Sequence, residues 1–165
     1  MKLSVPLNMD AFECVIKNAP LFAIDIVVIN SENEILVGRR KNAPAKGYWF
    51  VPGGRVYKNE PLDEAFKRIS MAELGQKFEI TNAKFLGLYE HFYPDSFVSS
   101  SVSTHYINAT HALHLEANKL DFPKQQHDEY RWVGLECFEE DKTIHAYSKC
   151  FCGALYEWLE SNKKA

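Results

Sequence analysis

A glycine turn followed by a short helix is the feature that most restricts the fold of this chain. The letters PGG at 52–54 end an apolar strand predicted at 48–51, and a helix is predicted from Pro61 to Gly75, with proline at its start and glycine at its end. Consecutive glycines let the backbone approach a ligand closely, and a carbonyl oxygen in such a turn suits Mg²⁺. The segment therefore predicts a binding site between a strand and a helix.

The predicted helix carries a carboxylate among its apolar side chains. Its apolar residues follow helical spacing and should form one buried stripe, made of Leu62, Ala65, Phe66 and Ile69. Glu73 falls on the same stripe. Because a buried carboxylate without a partner is costly, Glu73 is expected to meet a cation, a set of donors or a water-filled cleft. The alternative is a frayed last turn in which Glu73 points to solvent.

The rest of the chain alternates between strand and helix patterns. Helices are predicted at 10–18 and 145–161, and further strands at 21–30, 35–40, 83–93, 102–115 and 129–133. This order predicts an α/β fold with a mixed β-sheet between helices. The 165 residues, 46% of them hydrophobic, suit a single domain, 1–165, with a short helical extension at its N-terminus.

Composition and cysteine spacing exclude several classes of protein. A net charge of −3 gives no basic surface for nucleic acid. No apolar run approaches the roughly 18 residues of a membrane helix, and no secretory signal is visible, so we expect a cytoplasmic protein without a membrane partner. Because Cys14, Cys137, Cys150 and Cys152 form no paired CxxC motifs, they are interpreted as reduced thiols.

The spacing around the glycine turn resembles the box of the Nudix hydrolase superfamily. Five residues match that box in register: Gly54, Glu60, Arg68, Glu73 and Gly75. The resemblance implies a Nudix-type α/β/α sandwich and hydrolysis at a nucleoside diphosphate derivative that requires a divalent metal. Two functions within this superfamily remain open as alternatives to the one developed below. One is a conventional Nudix pyrophosphohydrolase, and the other is a Nudix-like domain that binds a sugar nucleotide without turnover.

Two departures from the box change the expected chemistry. Ile69 and Ala72 stand where the box has glutamates, which leaves Glu73 as essentially the one carboxylate of the helix available for metal. Attack of water on phosphorus usually recruits two or more divalent ions and several carboxylates. A single Mg²⁺ can be held by one carboxylate and a few neutral oxygens, completed by the substrate phosphates. The departures therefore favour attack of water on carbon.

Strings outside the box resemble one branch of the superfamily, GDP-mannose mannosyl hydrolase. They are GYWFVPGGRV at 47–56, MAELG at 71–75, HFY at 91–93, THY at 104–106 and QHDEYRW at 126–132. The likeness extends from about Ala11 to Trp158. It implies hydrolysis of GDP-mannose and related GDP-hexoses such as GDP-glucose to GDP and free sugar, with inversion at the anomeric carbon. It also implies a homodimer with one Mg²⁺ per subunit, for which Mn²⁺ can substitute.

The resemblance assigns roles to individual positions. Metal ligands are the carbonyl of Gly53, Glu73 and Gln126, and catalytic residues are His127 as general base with Arg40 and Tyr106 on the departing GDP. The other substrate-binding positions are Leu7, Phe12, Asp25, Arg55, Arg68 and His91. Phe12 and Leu7 are expected near the nucleoside, and Asp25 and His91 near the sugar. The chain departs from the pattern at Pro6, where phenylalanine is expected.

The sequence itself also bears on the roles of Arg68, Glu60 and Asp25. Arg68 can pair with Glu64 one turn earlier in the helix, and this alternative is as good as a role in the site. Glu60 is interpreted as a charge that complements the helix dipole rather than as a metal ligand. Asp25 lies between apolar neighbours in a strand, where an unpaired carboxylate is costly, so contact with the site is favoured.

Overall fold

A computed structural model describes residues 7–115 and 127–163, except for the side chains of His127, Asp128 and Lys163. Its helices are α1 Met9–Asn18, α2 Leu62–Leu74, α3 Leu135–Phe138 and α4 Cys152–Lys163, with short 3-10 helices at Ile80–Asn82 and Ala146–Ser148. Its strands are β1 Leu21–Ile29, β2 Glu34–Arg40, β3 Trp49–Phe50, β4 Gly53–Arg55, β5 Lys84–Tyr93, β6 Thr104–His114 and β7 His127–Gly134.

The strands form one mixed sheet that divides along β1. Its order is β3-β2-β1-β6-β5, with β7 paired to β2 and β4 paired to β1. Strands β1 and β6 run parallel, and the other pairs are antiparallel. On its other edge, the first part of β1 pairs with β4, and the last pair is Asp25 with Gly53. The far end of β1 pairs with β2, where Ile29 faces Ile35. Asp25 therefore lies where the sheet divides.

Both faces of β1 are buried, because helices cover the sheet on either side. Ile24, Ile26 and Val28 pack with residues of α2 on one face. Val27 and Ile29 alternate with them along the strand and pack with residues of α3 and α4 on the other face. This arrangement confirms the predicted α/β/α sandwich with a mixed sheet between helices.

Helix α1 covers one end of the sheet. Asn8 caps it, since the Asn8 side chain accepts a hydrogen bond from the Ala11 N–H at 2.9 Å. Phe12 and Ile16 are buried on its inner face, in a cluster with Leu21. The helix thus holds Phe12 against the start of β1.

Helix α2 has the predicted bounds, but its apolar stripe begins later than expected. Gly75 ends the helix in the left-handed conformation, with φ 73°. Ala65, Phe66 and Ile69 are buried as predicted, whereas Leu62 is 48% exposed because the first turn of the helix lies beyond the sheet contact that starts at Ala65. The prediction that Leu62 is buried was wrong.

Two other elements differ from the sequence prediction. The PGG turn continues into the short strand β4, because glycine lets this backbone lie close against β1. The predicted helix 145–161 is replaced by a 3-10 turn and by α4, which starts only at Cys152. Side chains of the 3-10 turn are held by distant backbone groups: Ser148 Oγ accepts from the Val51 N–H, and the Tyr147 hydroxyl bonds to Phe92. These contacts override the helical periodicity.

Two expectations concern membranes and cysteines. Among the described helices, none combines the length and apolar character needed to cross a bilayer. Cys14, Cys137, Cys150 and Cys152 are all free thiols, in agreement with the sequence interpretation.

Candidate active site

A cavity of about 340 Å³ opens where the sheet divides, between the strands and the start of α2. Eight of the predicted site residues line it: Phe12, Asp25, Arg40, Gly53, Arg55, Arg68, His91 and Tyr106. They come from α1, β1, β2, β4, α2, β5 and β6, so the tertiary fold gathers residues that are spread over most of the chain.

Four predicted residues lie elsewhere or cannot be placed. Leu7 is 54% exposed and does not line the cavity. Glu73 is buried, with 1% of its surface exposed, which excludes the frayed turn, and it is not among the residues that line the cavity. Gln126 is outside the described residues. The backbone of His127 begins β7 and pairs with Arg40 of β2.

Asp25 is the acidic group of the cavity. Its Oδ2 accepts a hydrogen bond of 2.6 Å from Asn108 Nδ2. Burial raises the pKa of Asp25 to about 6, against the hydrogen bond from Asn108 and the charge of Arg40, and repulsion from Glu73 adds to the rise. A Cβ added at Gly53 would collide with the Asp25 carboxylate. Asp25 is therefore fixed against the glycine turn.

Arg40 is the cation at the end of β2. Its guanidinium lies 5.3 Å from the ring centre of Phe50, and Phe50 stacks on His145 at 4.7 Å. The Arg40 Nε is buried without a hydrogen-bond partner among the described residues. A buried donor of this kind suits an anionic ligand, since a phosphate oxygen would accept from it.

His91 and Tyr147 form a flat aromatic stack, of which His91 lines the cavity. Their rings lie 4.4 Å apart at 6°, and the Tyr147 hydroxyl accepts from the Phe92 N–H at 2.9 Å and donates to the Phe92 carbonyl at 2.8 Å. Burial lowers the pKa of His91 to about 4, and the nearby His145 contributes. His91 is thus a neutral imidazole near pH 7.

We call Asp25, Arg40, His91 and Asn108 the strand wall of the cavity, since each of them lies on a strand. A second group is called the helix wall: Arg55 at the end of β4, Tyr57 and Glu60 of the following loop, and Arg68 of α2. Tyr57 and Arg68 line the cavity with Arg55, while Glu60 lies behind them.

Arg68 of the helix wall is engaged by its neighbours. Its Nε and one terminal nitrogen donate to the Glu60 carboxylate at 2.6 and 2.8 Å, and the same terminal nitrogen donates to the Arg55 carbonyl at 2.7 Å. The guanidinium also lies 4.0 Å above the Tyr57 ring. Burial alone would raise the pKa of Glu60, but the bonds from Arg68 and the Tyr57 N–H hold it below its usual value.

The pairing of Arg68 with Glu64 does not occur. Glu64 pairs with Lys67 at 3.3 Å, and Arg68 reaches Glu60, which precedes the helix. Glu60 therefore acts as the partner of Arg68 rather than only as a charge near the helix start. Helical spacing pointed to the wrong partner, because the loop 56–61 folds back over the Arg68 side chain.

The oxygen donors around Gly53 fit a divalent cation. Asp25 and Glu73 are close enough for their charges to repel, and a cation between them and the glycine turn would remove that cost. Within residues 7–115 and 127–163, no three His, Cys, Asp or Glu side chains cluster as a metal site. Glu73 is the buried carboxylate of α2, so a site here would combine it with neutral oxygens.

A larger groove, of about 510 Å³, lies at the opposite end of the sheet. It is lined by Glu32, Asn33, Glu34, Gly134, Leu135, Glu136, Cys137, Tyr156, Leu159 and Glu160. None of the predicted site residues is among them, and the four glutamates would repel a diphosphate. The smaller cavity is the better candidate for the active site in spite of its size.

The cavity residues and supports that the sequence analysis missed include Tyr93, Asn108 and Tyr147. Tyr93 and Asn108 line the cavity, and each follows two positions after a predicted residue on the same strand, His91 and Tyr106. Since strand residues two apart share a face, this spacing was a usable signal. Tyr147 had no such signal, because its contact with His91 spans two distant segments.

Comparison with known proteins gives a consistent family. Residues 20–151 match the model of the NUDIX domain. The "Low-salt glycan biosynthesis protein Agl8" of Haloferax volcanii is 37% identical over 147 residues, which cover 88% of each chain.

Solved structures share the fold at lower identity. The MutT NUDIX hydrolase from Burkholderia pseudomallei matches with a TM-score of 0.67 and 21% identity, over 83% of this chain and 98% of that one. The NUDIX domain of Shewanella oneidensis NrtR, solved with ADP ribose, matches with a TM-score of 0.66 and 14% identity, over 86% and 90%.

Proposed function

Since this chain belongs to the NUDIX domain family and is therefore a Nudix hydrolase, we propose that it hydrolyses GDP-mannose and related GDP-hexoses such as GDP-glucose to GDP and free sugar. Water attacks the anomeric carbon with inversion. The 37% identical relative, whose name refers to glycan biosynthesis, supports a sugar nucleotide as the substrate class. The unit that acts is a single Nudix domain preceded by α1.

The shortage of carboxylates on α2 is the observation that carries this proposal. Ile69 is 1% exposed and packs against Gly54, so the position of one box glutamate belongs to the core. Glu60 is engaged by Arg68. Glu73 is left as the carboxylate of this helix for a metal, which suits support of a leaving group better than attack on phosphorus.

The departing GDP is stabilised by Arg40 and Tyr106. Arg40 offers a buried Nε donor, and charge that develops on the diphosphate strengthens this bond in the transition state. Burial raises the pKa of Tyr106, against the nearby charges of Arg55 and Arg40. Its hydroxyl therefore keeps its proton at neutral pH and donates it in a hydrogen bond to the diphosphate.

His127 is the proposed general base that takes the proton from the attacking water. Its backbone pairs with Arg40, so the base and the arginine at the leaving group come from adjacent strands. A positioned base contributes roughly 10²- to 10⁴-fold, so His127→Gln should lower kcat by that factor with little change in metal affinity. Unchanged turnover would remove His127 from this role.

Nudix hydrolases generally use divalent metal ions, and we assign one Mg²⁺ per subunit to the Gly53 carbonyl, Glu73 and Gln126, with Mn²⁺ as a substitute. A bound cation would neutralise part of the charge on the leaving diphosphate. Gly53 and Glu73 belong to the oxygen-rich region near Asp25. The cytoplasmic location inferred from the sequence stays a prediction.

The test is a product assay with GDP-mannose and GDP-glucose in Mg²⁺, with a chelated sample as control. GDP and free hexose are expected, formed only with metal. GMP and sugar phosphate would instead identify a conventional Nudix pyrophosphohydrolase. Tight binding of GDP-mannose without any product would identify a binding domain.

A homodimer is proposed from an apolar surface on β1 and β5. Phe22, Leu88 and Phe92 are 36%, 59% and 57% exposed, and their strand pairing puts them on one face of the sheet. Strand β5 is also the last strand of the sheet order among the described strands. A second copy would cover both the apolar face and the edge.

Sedimentation of the double variant Leu88→Lys, Phe92→Lys tests this surface. Wild type is expected as a dimer and the variant as a monomer. Met71→Lys, at a 47% exposed methionine of α2, is the matched control and should stay dimeric. A monomeric wild type, or a dimeric double variant, contradicts the proposed interface.

A further inference from the structure

We propose that Asn108 is a specificity-determining residue whose Oδ1 accepts a hydrogen bond from one hydroxyl of the bound hexose. This inference rests on the proposed function and goes further. It names the side chain that lets the enzyme distinguish a hexose that carries a given hydroxyl from one that lacks it. The family resemblance assigns no role to this position.

Of the two polar groups of the Asn108 side chain, the amide nitrogen has a hydrogen-bond partner among the described residues and the amide oxygen has none. The side chain lines the cavity although the residue is only 5% exposed. Its Nδ2 donates to Asp25 Oδ2 at 2.6 Å, while its Oδ1 is buried without a hydrogen-bond partner within residues 7–115 and 127–163. A buried polar atom left without a partner is costly, so a ligand atom is expected to complete it.

The orientation of the amide is fixed by its partner. A carboxylate accepts hydrogen bonds, so the NH₂ group of Asn108 must face Asp25. The opposite orientation would bring two oxygens together at the position of the 2.6 Å bond. The Oδ1 therefore lies on the side of the amide away from Asp25.

The neighbours of Asn108 leave room for a ligand on the floor of the cavity. Asn108 pairs with Ala23 of β1, and the small Ala23 side chain also lines the cavity. Tyr106, two residues earlier, lies on the same face of β6. Asn108 is thus the next inward-facing residue after the tyrosine proposed to contact the diphosphate.

The chemistry of this corner selects a donor. The Asp25 carboxylate and Asn108 Oδ1 are both acceptors, so phosphate oxygens are disfavoured there and hydroxyl groups are favoured. A hexose supplies several hydroxyl donors next to the diphosphate. The ribose hydroxyls and the N–H groups of guanine are the other donors of a GDP-sugar, and the test must separate the hexose from the nucleoside.

The test compares wild type with Asn108→Leu on GDP-mannose and on its monodeoxy analogues, each of which lacks one sugar hydroxyl. Wild type should lose roughly tenfold in kcat/KM on one analogue, the amount expected for one hydrogen bond to a buried acceptor. Asn108→Leu should lose that discrimination for the same analogue alone. Inhibition by GDP should be equal in both proteins.

Thr110→Val is the matched control. Thr110 lies on the same face of β6, is 1% exposed and has a buried Oγ1 without a partner among the described residues, but it does not line the cavity. Thr110→Val should show the same ratio of kcat/KM between GDP-mannose and each monodeoxy analogue as wild type. If Asn108→Leu folds poorly, Asn108→Ala serves as a second variant. Its unfolding temperature is measured to check that it is folded.

Each result decides the proposal. A uniform loss over all analogues would show that Asn108 only positions Asp25, and weaker inhibition by GDP would assign the Oδ1 to the guanosine part of the substrate. Either result overturns the sugar contact. If wild type releases no hexose from any GDP-hexose, the proposed function itself fails. Loss of discrimination at one hydroxyl, with unchanged GDP inhibition, supports the inference.

Discussion

The two walls of the cavity both present arginine to a ligand, but they use it differently. On the helix wall, Arg68 donates to Glu60 and to the Arg55 carbonyl and stacks on Tyr57. On the strand wall, Arg40 packs near Phe50 and keeps a buried Nε without a partner among the described residues. One arginine is bound to the protein and the other retains a donor for a ligand.

This difference separates residues that stabilise the shape of the cavity from residues that can bind the substrate. Groups whose bonds are complete within the protein hold the shape of the wall, and their loss should appear mainly in stability. Groups that keep a donor or acceptor without a partner in the described part of the chain, such as Arg40 Nε and Asn108 Oδ1, should affect catalysis or selectivity. Four predictions test this distinction.

The largest effect is expected for Arg40→Gln. Removing a donor that stabilises developing charge typically costs about 10²- to 10³-fold in kcat, so this variant should lose that factor. Its unfolding temperature should change little, because the Nε makes no bond within the described protein. Steady-state kinetics and calorimetry check both parts. A large loss of stability with near-normal kcat would reverse the roles of the two walls.

The next effect compares alanine at the two glycines of β4. A methyl at Gly53 would collide with Asp25 and lie 2.9 Å from the Ile24 carbonyl, whereas at Gly54 it would meet the Ile69 side chain at 3.1 Å. Gly53→Ala should lower kcat/KM on the order of 10²-fold by displacing Asp25. Gly54→Ala should keep most activity, since a side chain yields more easily than backbone. Equal losses would show that Asp25 is not held by Gly53.

On the helix wall, Glu60→Ala should act through stability. The Glu60 side chain is 4% exposed and pairs with Arg68, so its removal should cost about 2 kcal/mol of unfolding free energy. A change of this size lowers the unfolding temperature by roughly 4–8 °C in a domain of this length. Glu64→Ala, on the exposed side of α2, is the control. If Glu60→Ala stayed as stable as the control, the helix wall would not be held by this pair.

The smallest effect is the pH dependence contributed by His91. Its pKa is about 4 in the folded protein and about 6.5 unfolded, so the unfolded state binds the proton first and stability falls as pH drops from 6.5 towards 4. Between pH 6.5 and 5.5 the loss should be about 1 kcal/mol. His91→Gln should show a flatter slope in chemical denaturation over this window. The same slope in both proteins would mean that His91 is not buried as a neutral imidazole.

The sequence predicted those parts of the fold that depend on local pattern. The bounds of α2, its glycine end and the burial of Glu73 follow from helical spacing, and the chain order of strands and helices indicated the sandwich. It failed where distant groups decide. The 3-10 turn at Ala146–Ser148 exists because Tyr147 and Ser148 bond to backbone groups of other segments.

The candidate site was predictable in its residues but not in their pairing. Eight predicted residues line one cavity. The alternative that paired Arg68 with Glu64 was wrong, because Arg68 bonds to Glu60, which lies outside the helical repeat. Asn108 was missed although it follows Tyr106 by two positions on the same strand and so shares its face. What it offers to a ligand is shown by its contact with Asp25 and by its Oδ1, which has no hydrogen-bond partner among the described residues.

The central claim is that water attacks carbon rather than phosphorus, and hydrolysis of GDP-mannose in oxygen-18 water tests it most directly. Mass spectrometry of the products would locate the label. We expect the label in the free sugar and none in GDP. Label in GDP, in GMP or in a sugar phosphate would contradict the account, because it would show that phosphorus was attacked.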